Sequence, residues 1–539
     1  MRIFMISGLL LVMLAVVVQS AGAGLSQTEG DGVDSALELL KSTKFSDRLR
    51  GVEQLATSGH SGVLGLLSEL LEGRLFYIKK GRRLVIAEEQ DGDYRIRDAL
   101  TGEPLGVEKA RKLRKINLNN AMRSRINALV AAIDLASDSP STRLDAVNRI
   151  LDHYDVDAVA AIRPLHAVER DEQVRDAMEV AIALADLETG SFSQQVQAVA
   201  VLQESVHPAV RNGLVRLKAR AGNPELARMI DKSLEIIDAR LKVFAALETL
   251  FFGLSLGSVL VLAAIGLAIT FGVMGVINMA HGELIMLGAY TAYVIQRMMP
   301  DHIGISLLVA VPAAFCVSAV VGIAIERGII RFLYGRPLET LLATFGISLI
   351  LQQGVRTLFS PLNRSVETPE WMSGALHINS ALSLTYNRLY IIAFCLLIFA
   401  GLILVLKKTA LGLQIRAVSQ NRAMARAMGV RSAWVDAMTF GLGSGVAGMA
   451  GVALSQLTNV GPNLGQSYII DSFMVVVFGG VGNLWGTLVS GMTLGVANKF
   501  MEPWAGAVLA KILVLVFIVL FIQKRPRGLF PHRGRAAEG

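Results

Sequence analysis

The sequence of 539 residues is poor in cysteine, in aromatic residues and in charge. Its two cysteines, Cys316 and Cys395, both lie in apolar stretches, which excludes a disulfide scaffold and a cysteine-rich metal site. Basic runs interleaved with aromatic residues are also missing, so we expect no nucleic-acid partner. The sequence has neither H-E-x-x-H nor a paired nucleophile and base, and we therefore expect no catalytic residues and no metal site.

The average composition indicates two unlike parts. Only 18% of the residues are charged, and the mean hydropathy is +0.51. A chain of this composition is too apolar for a soluble protein and too polar for one made only of membrane-spanning helices. From Lys242 onward the chain has 21 basic and 11 acidic residues, whereas the residues before it are nearly balanced. We therefore predict an apolar, basic part at 242–539 and a soluble part before it.

The first 23 residues have the pattern of a secretory signal peptide. Arg2 precedes an apolar stretch over 3–18, and small residues at 21–23 resemble a cleavage site. An uncleaved anchor helix is the alternative, because the apolar stretch is long enough for either. In both cases we expect residues 24–241 to be exported.

Residues 24–241 carry apolar residues at helical spacing, in short segments separated by Asp, Ser, Gly and Pro. One sequence pattern resembles the second helix of HEAT-type repeats and occurs four times, beginning at Arg48, Arg143, Gln173 and Gln195. We predict an α-helical, repeat-like domain, with an irregular helical bundle as the alternative. Short β-prone runs separated by turn residues predict a small β insertion at about 75–97. No catalytic constellation occurs here, so we expect a role in binding or assembly.

Residues 242–539 contain apolar stretches long enough to cross a bilayer. They lie near 248–270, 281–297, 303–326, 341–358, 389–406, 437–457 and 506–523. Fourteen basic residues fall in 327–336, 407–431 and 524–535, against five in the connections on the other side. The positive-inside rule makes the three basic stretches cytoplasmic and places the start of the first span outside. That orientation agrees with export of the preceding domain.

A further apolar stretch, 469–500, is broken by glycines. Because the connections on both sides of it are predicted to lie outside, it forms either two short spans or a re-entrant hairpin. Irregular backbone at membrane depth lines a cavity or is buried in protein, and broken helices mark substrate paths in many transporters. Candidates for the solute path in this stretch are therefore Gly479, Gly480, Gly482 and Asn483.

Four motifs of the apolar part carry a resemblance to a known family. They are GVMGVINMAHGE at 272–283, ATFGIS at 343–348, TALG with RAVSQN and MGV within 409–430, and FGGVGNLWG at 478–486. In content and order they resemble the permease subunits of branched-chain amino acid ABC importers over about 250–530. The long exported domain is similar to that of the urea-importer branch. The resemblance implies an all-α, polytopic helical permease in the bacterial cytoplasmic (inner) membrane.

The resemblance also implies partners. These are a second homologous permease subunit, cytoplasmic ABC ATPase subunits and an exported solute-binding protein, besides the lipid bilayer. The chain lacks G-x-x-x-x-G-K-[ST], the glycine loop that cradles phosphate, so we expect no cofactor here and ATP bound by the partner subunits. We predict a subunit that imports a small polar solute, with urea as the solute. A branched-chain amino acid permease and a passive urea channel are the alternatives.

Polar residues beside the spans are further candidates for the path, because polar groups in lipid must face an interior or water. Asn278, His281 and Glu283 either line a path or gate, or form a helix start in which the charge of Glu283 meets the helix dipole. A neutral amide such as urea needs carbonyls, carboxamides and hydroxyls along its path. Thr344 and Gln352 have that chemistry.

The basic loop at 407–431 contains an amphipathic segment, predicted to be a helix over 416–428 with Gly429 at its C-terminal cap. In ABC importers, a helix in this position docks into the ATPase subunit and transmits its closure. A surface helix on anionic lipid is the alternative. The residues that the resemblance assigns to ATPase coupling are Arg416, Gln420, Asn421, Arg422, Arg426 and Gly429.

Overall fold

The computed structural model describes residues 29–530, apart from 43, 59–61, 91–92, 153–155 and 221–222. The predicted signal peptide, 1–23, lies outside the described residues. The chain divides into two units, Met1–Ala239 and Arg240–Gly539. One long helix, Pro224–Met274, contains the boundary between them.

The first unit is mainly α-helical, as its apolar spacing predicts. Side chains fix several helix starts: Asn119 accepts the backbone N–H of Met122 at 2.8 Å, and Asp171 accepts that of Val174 at 3.1 Å. The helices are α1 (Glu29–Leu40), α2 (Phe45–Thr57), α3 (Val63–Leu71), α4 (Asn120–Asp134), α5 (Pro140–Asp152), α6 (Val156–His166), α7 (Glu172–Thr189), α8 (Phe192–Leu202), α9 (Pro208–Arg220) and α10 (Pro224–Met274).

The β insertion is a five-stranded antiparallel sheet in the order β4-β3-β2-β1-β5. Its strands are β1 (Leu75–Ile78), β2 (Leu84–Gln90), β3 (Asp93–Asp98), β4 (Pro104–Glu108) and β5 (Leu113–Lys115). The predicted range, 75–97, covers β1 to β3 but ends too early. Both additional strands are short edge strands with little apolar alternation, and β4 begins with a proline, which an edge tolerates. Their place in the sheet is set by pairing and not by local sequence.

The second unit is built from long apolar helices. Among the described residues, six helices are long and apolar enough to cross a membrane, the first being α10. The unit continues with α11 (His281–Met298), α12 (Ile303–Gly328), α13 (Pro337–Phe359), α14 (Tyr386–Lys408), α15 (Ala410–Gln420), α16 (Arg422–Ala427), α17 (Ser432–Ser455), α18 (Leu464–Gly479) and α19 (Leu484–Lys524). A two-stranded hairpin, β6 (Ala375–Asn379) and β7 (Leu382–Thr385), precedes α14.

The broken stretch at 469–500 consists of two antiparallel helical segments, α18 and the first part of α19. They meet at residues 480–483, which we call the hinge, where Gly480 and Gly482 have φ angles of 101° and 76°. Helix α18 has 16 residues, so it is about 24 Å long and shorter than the ~30 Å hydrocarbon core. The second part of α19 follows a kink at Gly506, whose φ is 74°.

Helix α17 lies at the centre of the unit and packs against α11 and α12 through small residues. A Cβ atom at Gly288 would overlap the carbonyl oxygen of Gly448, and one at Gly451 would overlap the carbonyl oxygen of Ile285. Such contacts let two helix backbones touch, which only glycine permits. The small residues of α17 therefore pack tightly against their neighbours.

We expect Gly288→Ala to destabilise the second unit by roughly 1–3 kcal/mol, because its methyl group has no space beside Gly448. The matched control is Gly401→Ala in α14, where nothing lies within 4 Å of a built Cβ. Thermal unfolding in detergent, followed by tryptophan fluorescence, reports on this unit because all four tryptophans belong to it. Equal melting temperatures for the two variants would contradict the packing assigned to Gly288.

Candidate functional site

The chain between α10 and α11 turns inside the protein. Gly275, with a φ of 64°, ends α10, and α11 begins at His281. Asn278 accepts the backbone N–H of Ala280 at 3.0 Å through its side-chain oxygen. His281 donates from Nε2 to the carbonyl oxygen of Ala263 at 2.8 Å. The expected helix start is therefore present, and Glu283 lies in the first turn of α11, as predicted.

One face of α13 is polar along its length. Thr340, Thr344, Ser348, Gln352 and Arg356 recur every four residues, and we call this stripe the polar seam. A four-residue repeat places side chains on one helix face. Other faces of α13 carry exposed apolar side chains, among them Leu342 and Ile350.

The polar seam binds the interrupted backbone on both sides of it. The hydroxyl of Thr344 accepts the backbone N–H of Met279 at 3.1 Å, and that of Ser348 donates to Glu283 Oε1 at 3.0 Å. Farther along α13, Gln352 Nε2 donates to Asn463 Oδ1 at 3.1 Å. Arg356 Nη2 donates to the same oxygen at 2.8 Å. The seam thus joins the start of α11 to the residue before α18.

The first turns of α11 and α18 touch one another. A Cβ atom at Gly282 would overlap the carbonyl oxygen of Gly465, and one at Gly465 would overlap that of Gly282. Both helices therefore begin within the folded unit, where their first N–H groups have no partner in their own helix. Such N-termini carry partial positive charge and attract acceptor groups. The junction therefore favours polar acceptor groups.

Three polar side chains at this junction keep atoms without a hydrogen-bond partner. They are Asn278 Nδ2, His281 Nδ1 and Glu283 Oε2, in residues that are at most 1% exposed. Because Nε2 of His281 donates to a carbonyl, Nδ1 of the neutral ring is an acceptor. Residues two apart in a helix point about 200° apart, and indeed His281 faces α10 while Glu283 faces α13. Unpaired buried polar atoms are costly, so these three atoms mark the junction as a candidate site.

The hinge residues belong to a different cluster. Asn483 accepts the backbone N–H of Gly486 at 3.1 Å as the cap of α19, and its Nδ2 donates to the carbonyl oxygen of Phe530 at 3.3 Å. A Cβ atom at Gly480 would lie 2.6 Å from that same oxygen, and Gly482 touches Gly272 at the end of α10. The structure thus brings Asn278, Glu283, Thr344 and Gln352 together, and it groups Gly479–Asn483 with the C-terminal segment 525–530.

Three members of the seam network escaped the sequence-based selection. Ser348 bonds to Glu283, Asn463 bonds to Gln352, and Arg356 bonds to Asn463. Of the three, Ser348 lies in a quoted motif, at the end of ATFGIS, but was not selected from it. The repeat of polar residues every four positions in an otherwise apolar helix was the signal for Ser348 and Arg356. Asn463 carries no comparable signal, since it precedes α18 and reaches the seam only through tertiary packing.

The basic loop at 409–431, which we call the docking loop, contains two helices where one was predicted over 416–428. Asn421 separates α15 from α16 and accepts the backbone N–H of Met424 at 2.9 Å. Its extended backbone and capping side chain end one helix and start the next. Gly429, with a φ of 87°, follows α16, and the N–H of Val430 bonds to Ala425 O at 3.0 Å. This is the Schellman arrangement expected at a glycine cap.

The docking loop presents both apolar and basic side chains to its surface. Leu413, Met424 and Met428 are exposed, as are Arg416 and Gln420. Arg416 hydrogen-bonds the carbonyl oxygen of Leu406 at the end of α14. Exposed apolar side chains rimmed by polar ones are typical of protein–protein contact surfaces. Among the residues described in the structure, no group of His, Cys, Asp or Glu could hold a metal ion.

Comparison with known proteins agrees with these features. Residues 249–522 match the family described as branched-chain amino acid transport system / permease component. The permease protein BraD of Pseudomonas aeruginosa is 29% identical over 297 residues, which cover 53% of this chain and 96% of BraD. LivH of Salmonella typhimurium is 30% identical over 295 residues, covering 52% of this chain and 94% of LivH.

A more distant relative is the ribose import permease RbsC of Escherichia coli, 25% identical over 294 residues, or 52% of this chain and 88% of RbsC. No solved structure matches the chain. The family match covers just over half of the sequence and includes the polar seam, the docking loop and the hinge. The chain therefore belongs to the family of branched-chain amino acid transport system permease components.

Proposed function

We propose that the chain is the membrane-spanning permease subunit of an ATP-driven importer and that its solute is urea. The observation that carries the proposal is the polar seam, which lies inside a unit of long apolar helices. The proteins that match this unit are transport permeases. Removing water from an amide without a replacement partner costs roughly 2–7 kcal/mol. Hydroxyl, carboxamide and carboxylate groups at the junction of α11, α13 and α18 offer such partners.

Two features support urea. Thr344, Ser348 and Gln352 offer neutral donors and acceptors, which suit an uncharged amide without a compensating charge. In addition, BraD and LivH match this chain over almost their whole length but over only about half of its own. The domain at 24–241, which is similar to the extension of urea importers, is therefore extra to the part that these relatives share. The printed names of BraD and LivH favour branched-chain amino acids as the second candidate.

In cells that contain the partner subunits and lack other urea uptake, we expect this chain to support uptake of labelled urea that excess leucine does not inhibit. Loss of uptake after deletion of the ATPase subunits would exclude a passive channel. Leucine uptake with no urea uptake would contradict the proposed solute and favour the second candidate.

A seam variant controls this experiment. Gln352→Leu removes the carboxamide and leaves Asn463 with one partner fewer, so uptake should fall about tenfold at equal membrane abundance, as for a loss of roughly 1.4 kcal/mol. Ile350→Leu, at an exposed position two residues away, is the matched change and should leave uptake unaltered.

We also propose that the domain at 24–241 lies on the periplasmic side and the docking loop in the cytoplasm, from the distribution of basic residues. In a background with Cys316 and Cys395 replaced by serine, Arg170→Cys should react with a membrane-impermeant maleimide in intact spheroplasts. Met428→Cys, also at an exposed position, should react only after permeabilisation. The opposite labelling pattern would reject this topology.

The docking loop is proposed to contact the ATPase subunit and to couple its closure to transport. The exposed Leu413, Met424 and Met428 supply an apolar contact, and the capped ends of α15 and α16 hold that surface in one shape. A helix that only rests on lipid needs no rigid break at Asn421. The arginines on the loop fit either partner, so the test must measure coupling.

We expect Gly429→Pro to lower solute-stimulated ATPase activity several-fold while the binding protein still docks. Proline fixes φ near −65°, whereas Gly429 has a φ of 87°, so the end of α16 must change. Gly429→Asn is the matched control, because asparagine tolerates the left-handed region. Normal stimulated ATPase activity in Gly429→Pro at normal abundance would argue against coupling through this loop.

A further inference from the structure

A bidentate ion pair joins the docking loop to α17. Arg422, the first residue of α16, donates from Nη1 to Asp436 Oδ2 at 2.8 Å and from Nη2 to Asp436 Oδ1 at 2.9 Å. The side chain of Asp436 is 2% exposed and that of Arg422 is 28% exposed. The guanidinium group also lies 4.6 Å from the ring centroid of Tyr334. Parallel hydrogen bonds and a stacked ring fix the orientation of the arginine as well as its distance.

Two other arginines of the docking loop, Arg416 and Arg426, make different contacts. Arg416 bonds to the backbone of Leu406, which belongs to the preceding helix. Arg426 donates a single bond from Nε to the hydroxyl of Ser432 at 2.8 Å. Within the described part of the loop, the pair of Arg422 with Asp436 is the contact in which a buried charge on α17 is neutralised from α16.

Asp436 lies on a helix that cannot move alone. It belongs to the second turn of α17, and the same helix meets the backbone of α11 at Gly288 and at Ile285. A Cβ atom at Gly443 would also lie 2.6 Å from the carbonyl oxygen of Gly266 in α10. Contacts between backbones leave no flexible side chain to absorb a shift. A displacement of α17 is therefore passed to α11, whose first turn holds His281 and Glu283.

We propose that the pair of Arg422 and Asp436 is the joint through which the docking loop moves α17 and, through it, the junction of α11 with the polar seam. The pair acts as a positioning pair and does not touch the solute. The proposal rests on the proposed function, because it requires the ATPase subunit to contact the loop. Removing one partner leaves the other charge buried and loosens α16 from α17. ATP hydrolysis should then continue with less solute imported for each ATP.

The test uses the complete importer in proteoliposomes and measures the number of ATP molecules hydrolysed per solute imported. Asp436→Asn and Arg422→Gln should each raise this ratio about tenfold, with unchanged co-purification of the ATPase subunits. Arg422→Lys keeps the charge but loses the two-pronged geometry, so a smaller rise is expected. Lys499→Gln, which removes the ion pair with Glu502 within α19, is the control and should change the ratio less than twofold.

The ratio separates a joint from a merely structural pair. A structural role would lower assembled complex, hydrolysis and import together and leave the ratio unchanged, and that result would overturn the proposal. The exchanged pair Arg422→Asp with Asp436→Arg should bring the ratio back toward that of the wild type. If it assembles and the ratio stays high, the proposal is also overturned.

A separate measurement tests the function on which the joint depends. Met424→Cys should cross-link to the ATPase subunit in a chain whose only other changes are Cys316→Ser and Cys395→Ser. A cross-link together with an unchanged ratio in Asp436→Asn rejects the joint and leaves docking intact. Absence of the cross-link at all cysteines placed over 413–428 rejects docking, and with it the joint.

Discussion

The second unit depends on the approach of the α17 backbone to its neighbours. In a bilayer, lipid tails are as apolar as leucine, so helices associate through close packing and hydrogen bonds more than through the hydrophobic effect. Glycines at 288, 448 and 451 allow backbones to touch where any side chain would separate them. The position of α11 is therefore fixed by α17, and the polar junction at the start of α11 inherits that position.

The polar seam follows from the way in which α11 and α18 begin. A helix that starts inside a membrane protein has N–H groups that no water can satisfy, and irregular backbone there must be bonded by protein. Thr344 bonds the backbone before α11, and Gln352 with Arg356 bonds Asn463 before α18. One helix face thus serves two interrupted segments. The interrupted backbone at the hinge, 480–483, is bonded by the C-terminal segment instead, through Asn483 and the backbone of Phe530.

Local signals predicted several of these features well. The helix start at His281, with Glu283 in the first turn, is readable from a polar cluster before an apolar run. The glycine cap at Gly429 is readable for the same kind of reason. The break at Asn421 was missed, because the amphipathic pattern continues across it and an asparagine inside a helix costs little by itself. Strands β4 and β5 were missed because neither is rich in the β-branched and aromatic residues that mark β1.

The sequence by itself determined that the chain has an apolar, basic part and a helical part with a β insertion, since composition and periodicity are properties of the chain and need no contacts. Its motifs also determined the permease family. Only the tertiary structure decided which polar residues work together. Glu283 meets Ser348, Gln352 meets Asn463, and Arg422 meets Asp436, at separations of 65, 111 and 14 residues. No local pattern encodes such pairs, because they arise when glycine-lined helices bring distant segments to within hydrogen-bond distance.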